Sequence, residues 1–530
     1  MKQLLCFLVL TFFVVVSCRK KELKRPGQTP ILAIDKANIL LGSEINAADT
    51  ILVTENISWT ASTTATWLKI QPKHIAGQPD TLIITALEHN IPGSSRTASV
   101  TLSPVNNTSV PSITITVTQQ KVGVPIITWS KLFGGASFDI AYGIAKTTDG
   151  GYIITGYSGS NDGDVSDNHG QDDALVLKMD ANGNKQWSKL LGGAGFDMGN
   201  TVIPTTDGGY AIAGYSLSND GDVSGSNGGP DAWVIKLDAS GNKQWSKLFG
   251  GNGSDMAFSI VETADRGFLV ASGTVSNDGD VSGNHGAEDA WLIKLDANGN
   301  KQWSKLYGGA LGDDFFTMIA TPDGGYIIGG SSSSNNGDLT GNQGEEDAWL
   351  LKLDANGNKQ WSKLYGGLQR DRVHAIHATT DGGYVIAGAY ESKGGDVSGN
   401  HGIVDAWVMK VDANGNKQWG KLYGGTEYDE ATSILPTADG GYIIAGQSHS
   451  NNGDVSGNHG VSDTWVMKLD TKGNKLWSKL YGGSLGDYAL ALVAATDGGY
   501  VIAGQAYSNN GDVSGSHGFW EAWVMKIKVQ

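Results

Sequence analysis

Trp419–Leu476 reads WGKLYGGTEYDEATSILPTADGGYIIAGQSHSNNGDVSGNHGVSDTWVMKLDTKGNKL, and six near-copies of it fill the rest of the chain beyond residue 128. Its marker tryptophan recurs every 58 residues, at Trp129, Trp187, Trp245, Trp303, Trp361, Trp419 and Trp477. Seven full copies would need 406 residues and 129–530 holds 402, so the last copy stops four short. Within the quoted copy Lys417–Tyr423 is strand-like and halts at Gly424-Gly425. Ala431–Thr437 is a second strand, Asp439-Gly440-Gly441 a tight hairpin turn, and Tyr442–Gly446 a buried third strand. A polar loop, Ser450–Gly460, leads to a fourth strand from Asp463, after which Thr471–Asn474 turns the chain back. No helical period appears. Four antiparallel strands per repeat at this spacing predict one propeller blade per copy.

The register of the ends predicts how the array closes. It opens on a tryptophan strand, Ile126–Phe133, and ends on a fourth strand, Trp523–Lys528. The last copy therefore lacks the strand that the first has to spare. Pairing the two completes a seventh blade and removes two exposed edges. The wording resembles bacterial β-propeller repeats with Gly-Gly turns and, more distantly, Kelch blades; it matches neither the WD40 signature nor the sialidase Asp-box.

Composition narrows the function. The 530 residues carry a formal charge of −16, with 76 Gly and 16 Trp. Residues 27–530 alone carry −21, because Lys2 and the Arg19–Pro26 stretch hold the excess positive charge. An acidic chain is a poor nucleic-acid binder, since phosphate affinity comes from Lys and Arg. Hydrophobics at 39% exclude an acidic disordered chain, and the glycines follow no collagen period.

The N-terminus reads as a targeting segment. Lys2 precedes an apolar run, Leu4–Val16, too short to span a bilayer comfortably, so residues 1–17 are a signal peptide. Val15-Val16-Ser17-Cys18 resembles a bacterial lipobox, which implies cleavage before Cys18, lipidation of that residue, and membrane attachment through the lipid. A plain signal peptide followed by an incidental Cys is the alternative. Cys6 and Cys18 are the only cysteines, so the mature chain has no internal disulfide. Residues 18–29 form a basic tether, unlike the acidic run that marks surface export in some bacteria; the outer-membrane leaflet stays open.

Residues 30–120 have another texture, with alternating strands at Thr81–Ala86, Ala98–Leu102 and Ser112–Thr118, and predict an immunoglobulin-like sandwich; residues 121–128 are read as linker. Ser58-Trp59, Thr66-Trp67-Leu-Lys-Ile, Ser95–Val100 and Ile115–Gln120 resemble the Bacteroidetes-associated carbohydrate-binding (BACON) module. The resemblance implies sugar binding or a spacer role. Trp59 and Trp67 are sugar platforms or core.

Three recurrent features carry candidate chemistry. Asp139, Asp197, Asp255, Asp313, Asp371, Asp429 and Asp487 stand ten residues after each marker Trp, at the start of the innermost strand. They are read as carboxylates ringing a channel mouth, or as acceptors of backbone N–H groups at a blade-to-blade turn. Asp164, Asp222, Asp280, Asp338, Asp396, Asp454 and Asp512 sit in Asn/Asp-Gly-Asp loops, where alternating oxygens around glycine suit calcium, although the motif is shorter than an EF-hand loop and lacks its final Glu, and Asx turns explain the same letters. His169, His285, His401, His459 and His517 alternate with Asn227 and Gln343, which suits a hydrogen-bonding role better than zinc.

No nucleophile–base pair, phosphate loop or Cys/His metal set is recognisable, and carboxylates repeated sevenfold do not make one asymmetric catalytic spot. The chain is therefore expected to be a monomeric, non-catalytic lipoprotein of the cell envelope that binds extracellular glycan through a propeller rim. A protein-docking scaffold is the alternative, and a polysaccharide-degrading enzyme the third reading. Positions differing between copies mark the ligand face. They follow the Gly-Gly doublet (Arg370, Tyr428) or surround the Asn/Asp-Gly-Asp loop (Tyr157, Tyr390, Phe519, Trp520).

Overall fold

The structure is a computed structural model that describes residues 14–18 (backbone only), 29–42, 47–74, 79–87, 90, 95–121 and 123–529. The remaining signal-peptide and tether residues lie outside the described ones. The chain divides into two units, Met1–Val124 and Pro125–Gln530. The opening strand of the second unit, read above from Ile126, runs Pro125–Phe133 and so takes in residues 125–128 of the segment also read as linker. Among the described residues no helix is long and apolar enough to cross a membrane.

The first unit is all-β. One sheet runs in the order Val14–Cys18, Trp59–Thr63, Arg96–Pro104, Ile113–Gln119 and Asn38–Leu41; the other is Leu32–Ile34, Ala48–Glu55, Asp80–Ala86 and Lys73-to-Leu68. Alternation drives the packing: Leu82, Ile84, Val100, Leu102, Ile115 and Val117 point from their strands into one shared core. Trp59 and Trp67 are part of that core, with the Arg96 guanidinium 4.5 Å above the Trp67 ring. Burial takes both indoles out of reach of a sugar.

The second unit consists of seven four-stranded antiparallel sheets in a propeller-like arrangement. In sheet 1 the strands are a (Asp139–Lys146), b (Tyr152–Ser158), c (Asp173–Met179) and d (Lys185–Leu191). Sheets 2 to 6 repeat this from Asp197, Asp255, Asp313, Asp371 and Asp429. The marker-Trp strand is thus the last strand of a sheet, and strand a begins at the recurrent Asp, two residues earlier than the sequence suggested. Sheet 7 takes a, b and c from Asp487–Ala494, Tyr500–Ala506 and Glu521–Val529, and d from Pro125–Phe133. Ile126 pairs with Lys528 and Phe133 with Ala522, the partnership that the surplus opening strand implied.

Each sheet builds its core with the next. Strand c is buried along its whole length in sheets 1 to 4 and 6 and along most of it in sheets 5 and 7, which explains its nearly unbroken apolar wording; Trp233, Trp291, Trp349, Trp407, Trp465 and Trp523 lie there. Seven clusters each join two successive sheets, and the seventh joins Val501, Ala503 and Val524 of sheet 7 to Ile154, Leu175 and Leu177 of sheet 1. The half-buried d-strand tryptophans cover the c–d turn of the following sheet. A Cβ on Gly241 (φ +80°) would lie 2.8 Å from the Trp187 ring, so the glycine of the Asn/Ser-Gly-Asn turn is needed for both reasons. The Asp-Gly-Gly hairpins are fixed similarly: the Asp149 carboxylate accepts from Gly151 N (3.0 Å) and from the buried Lys178 ammonium (2.8 Å).

Candidate functional site

The recurrent strand-a aspartates are clasps, and the channel-mouth reading of them is corrected. Asp139, Asp197, Asp255, Asp371, Asp429 and Asp487 are 0% exposed and Asp313 is 1% exposed. Asp197 accepts Gly193 N (2.7 Å), the Ser218 hydroxyl (2.6 Å) and the Ser216 hydroxyl. It thereby ties the d–a turn to the end of strand b. The same clasp recurs at Asp139, Asp255, Asp313 and Asp429.

The Asn/Asp-Gly-Asp loops are equally occupied. Lys243 lies 2.5 Å from Asp222, Lys301 2.5 Å from Asp280, Lys359 2.5 Å from Asp338 and Lys475 2.5 Å from Asp454. Lys185 and Lys417 approach Asp164 and Asp396 at 3.2 and 3.9 Å. Asp512 receives the weaker contact of Gly482 N at 3.4 Å. The other loop oxygens hold backbone: Asp162 accepts Ala136 N and Asn161 accepts Asp167 N. Among the described residues no group of three or more acidic, His or Cys side chains is set to hold a metal. These contacts are those of Asx turns backed by lysine, the alternative to calcium offered above. EDTA is expected to leave the melting temperature unchanged; a fall that added calcium reverses would restore the ion.

A third set of carboxylates, not singled out in the sequence, faces the first across each junction. Asp173, Asp231, Asp289, Asp347, Asp405 and Asp463 open strand c and are fully buried. One oxygen of each accepts the backbone N–H four residues earlier, and in four sheets also the Nδ1 of the loop histidine, as at His169 (2.6 Å). The other oxygen has no hydrogen-bond partner among the described residues. A Cβ on Gly192 would sit 2.5 Å from Asp173 Oδ1 and 2.6 Å from Asp197 Oδ2, so only glycine fits between the two carboxylates.

Burial, reinforced by the Asp396 charge at Asp347 and by the Asp347 charge at Asp371, pushes these two up to about 6 from 3.8; burial moves Asp139, Asp173, Asp231, Asp289, Asp313, Asp405, Asp463 and Asp487 the same way. These groups bind protons more tightly folded than unfolded, so their contribution grows as pH falls through the folded values and is complete below 3.8. The hairpin aspartates Asp149, Asp207, Asp265, Asp323 and Asp381, held down to about 2 largely by their Lys and Thr partners, oppose this only below 3.8. The melting temperature is therefore expected to rise from about pH 7.5 to about pH 5. A flat or falling profile over that interval would contradict the junction geometry.

What distinguishes one sheet from another is strand a. Its second residue is Ile140, Met198, Met256, Asp314, Arg372, Glu430 or Tyr488. Its fourth is a bulge in every sheet: Tyr142, Asn200, Phe258, Phe316, His374, Thr432 or Leu490. A bulge leaves one residue unpaired and re-aims its side chain. Here it reaches the neighbouring sheet, as when Asn200 donates to Ala257 O (2.8 Å) or Phe258 meets Phe316 edge-on at 5.7 Å.

Unlike groups consequently converge at the end where strands a and c begin. Arg372 grips Glu346 with two nitrogens, at 2.9 and 2.7 Å. His374 Nε2 lies 2.7 Å from Glu430, which also accepts the Tyr428 hydroxyl (2.8 Å) and Gln447 Nε2 (2.8 Å). Despite burial, these partners hold Glu430 down at about 2. Asp314, buried beside Glu288, is pushed up to about 8. Gly273 makes room for that pair, since a Cβ there would meet Asp314 Oδ1 at 2.3 Å and Glu288 Oε1 at 2.9 Å.

Aromatic rings complete this end. Tyr142, Tyr157, Phe196 and Tyr215 form a row over sheets 1 and 2, with centroids 5.3 to 6.1 Å apart. A second row runs Tyr428, His449, Tyr488, Trp520, Tyr507, in which Trp520 is stacked on both sides, at 5.2 and 5.4 Å. The two variable loop sets do lie together: Asp164 N donates to Gly134 O (2.8 Å), and Ala136 N to Asp162. Of the candidate ligand residues, Phe519 is exposed and packs on Phe138, Trp520, Tyr157 and Tyr428 are half-buried, and Arg370 is exposed 3.4 Å from Glu345. Tyr390 is corrected: it is 0% exposed, packs edge-on against Trp407, and binds Gly394 O (2.9 Å) through its hydroxyl. It stands where sheets 1 to 4 and 6 have the clasping Ser or Thr and sheet 7 has Ala506, and its ring fills the core. The charged pairs were missed, although comparing the seven copies at the second and fourth residues of strand a would have revealed them.

No family model matches the chain. The chain is similar to the regulatory protein FlaEY of Caulobacter vibrioides, 24% identical over 302 residues, covering 51% of this chain and 31% of that protein. The match thus spans about a third of that relative's length. Among solved structures, puromycin hydrolase is similar at 12% identity and TM-score 0.40, over 70% of this chain and 51% of that one. A Bacteroides ovatus GH5 xyloglucanase in complex with a XXXG heptasaccharide is 21% identical at TM-score 0.15, over 23% and 28%.

Proposed function

We propose that this protein is a non-catalytic envelope lipoprotein, anchored through Cys18, whose closed seven-bladed propeller binds extracellular glycan at the end where strands a begin. The immunoglobulin-like, BACON-type unit serves as spacer or accessory module. Closure is supported by the Pro125–Phe133 strand pairing with Glu521–Val529 and by the core shared between sheets 7 and 1. The binding reading is carried by one observation: five rings from Tyr428 to Tyr507 line up at this end, beside amide side chains. Stacked aromatic faces with a few polar groups suit the C–H faces and hydroxyls of a sugar. A glycan array probed with residues 27–530 tests it: retention of a defined glycan without release of reducing ends supports the reading, and an empty array refutes it.

A second reading, docking of an envelope protein, is favoured by exposed apolar side chains at the same end. They include Leu368 (79% exposed), Ile403 (62%), Val461 (58%), Leu217, Val275 and Leu311. Large exposed apolar side chains gathered at one end are the raw material of an interaction site. Co-purification of one partner, lost when Leu368 and Ile403 become serine, distinguishes it.

A further inference from the structure

We infer that the junction of sheets 6 and 7 is a saccharide subsite that takes one neutral sugar ring, its C–H face on Tyr488 and a hydroxyl donating to Gln505 Oε1. This rests on the glycan reading and adds its place and chemistry. The junction holds a groove of about 500 Å³ lined by Tyr428, Gln447, His449, Tyr488, Leu490 and Gln505. Its two amides are in opposite states. Gln447 is committed, because its Nε2 donates to Glu430, which the Tyr428 hydroxyl and His374 also hold in place. Gln505, directly across the strand pair from Tyr488, keeps a buried Oε1 with no hydrogen-bond partner among the described residues. A buried acceptor left unpaired weakens the fold, and a ligand O–H supplies the missing donor.

The aromatic wall is built by an absence of side chain. Gly486 stands where sheets 1, 2, 5 and 6 have Phe138, Phe196, Arg370 and Tyr428, sheet 3 has Ser254 and sheet 4 also has glycine, Gly312. A Cβ there would lie 2.8 Å from the Tyr488 hydroxyl and 3.0 Å from the Trp520 ring. Glycine thus allows Tyr488 and Trp520 to stack, with 25° between their planes. Charge sets the ligand class. No Lys or Arg lines the groove, the nearby Glu430 already accepts three donors, and Arg372 is taken by Glu346. A carboxylated sugar would find no counter-charge here. Elsewhere the equivalent space is filled, by the Tyr157 and Phe196 rings between sheets 1 and 2 and by the Arg372–Glu346 pair between sheets 4 and 5.

The test titrates the full chain with cello-, manno- and galacturono-oligosaccharides, following tryptophan fluorescence and heat. A neutral oligosaccharide is expected to bind, and Gln505→Leu to weaken it about tenfold, as loss of one ligand hydrogen bond implies, while the melt of the free protein rises because the unpaired buried acceptor is gone. Gly486→Ala should weaken it as well, whereas Tyr157→Ala should not. Neutral-sugar binding that survives Gln505→Leu and Tyr488→Ala would overturn the subsite and leave the glycan reading standing. Binding of the galacturonide alone would overturn the neutral chemistry. No binding of any of the three would overturn the subsite, and an empty glycan array would then remove the wider reading as well.

Discussion

Deleting Pro125–Phe133 is expected to abolish cooperative folding of the seven-sheet unit. The strand pairs along one edge of Glu521–Val529, from Pro125 opposite Val529 to Phe133 opposite Ala522, while Tyr500–Ala506 holds the other edge. It also contributes Phe133 to the core between sheets 7 and 1, with Trp129 packed against that core. The Trp523 indole N–H donates to Ser130 Oγ at 2.8 Å, so the deletion also orphans a buried donor. Removing one buried large aromatic costs about 3–5 kcal/mol. Two rings and a strand ladder together reach on the order of 10 kcal/mol, comparable with the entire stability of a domain. The uncovered strand c would in addition be a long apolar edge prone to aggregation. Deleting residues 27–120 instead should leave the calorimetric transition of the seven-sheet unit within a few degrees of its original position. If the two deletions are tolerated equally, the closure pairing does not hold the unit together.

Asp197→Ala is expected to produce the largest loss from a single side chain. It would strand Gly193 N and the hydroxyls of Ser216 and Ser218 in a site that is fully buried. Each orphaned buried donor costs about 1–3 kcal/mol, so the three together cost about 3–9 kcal/mol. Asp197→Asn keeps one acceptor oxygen and should recover part of this. The loop residue Asp167, exposed in sheet 1, supplies the control: Asp167→Ala should shift the melt by less than a degree or two. Similar melts for Asp197→Ala and Asp167→Ala would return the recurrent aspartates to a ligand-binding role and remove the clasp.

Much of this architecture was legible as written. Period, strand order and the pairing of the end strands follow from local rules: Gly-Gly turns, apolar alternation and a surplus first strand are properties of short stretches. The strand-a start was misjudged by two residues because Asp at a strand terminus reads as a turn residue, whereas Asp429 is held in register with Ser448 by the clasp. Tyr390 was misread for a related reason. An aromatic residue that breaks a Ser/Thr consensus looks like a surface variation, yet the neighbouring Trp407 gives it a core position.

The candidate site divides along the same line. Invariance among the seven copies identified the aspartates, and invariance reports the demand common to every junction, which is folding. Function needs asymmetry, and the asymmetric residues are single letters scattered 58 positions apart, such as Asp314, Arg372, Glu430 and Tyr488. No local pattern links them. They become neighbours because strand a of each sheet lies against strand a of the next, and its bulge re-aims every fourth residue toward the adjoining sheet. Repeat count, strand order and end pairing were therefore present in the linear chain, where hydrogen-bonding and hydrophobic rules act between near neighbours. Which Glu meets which His, and which glutamine oxygen stays unpaired, depends on long-range packing that brings distant copies within a few ångströms.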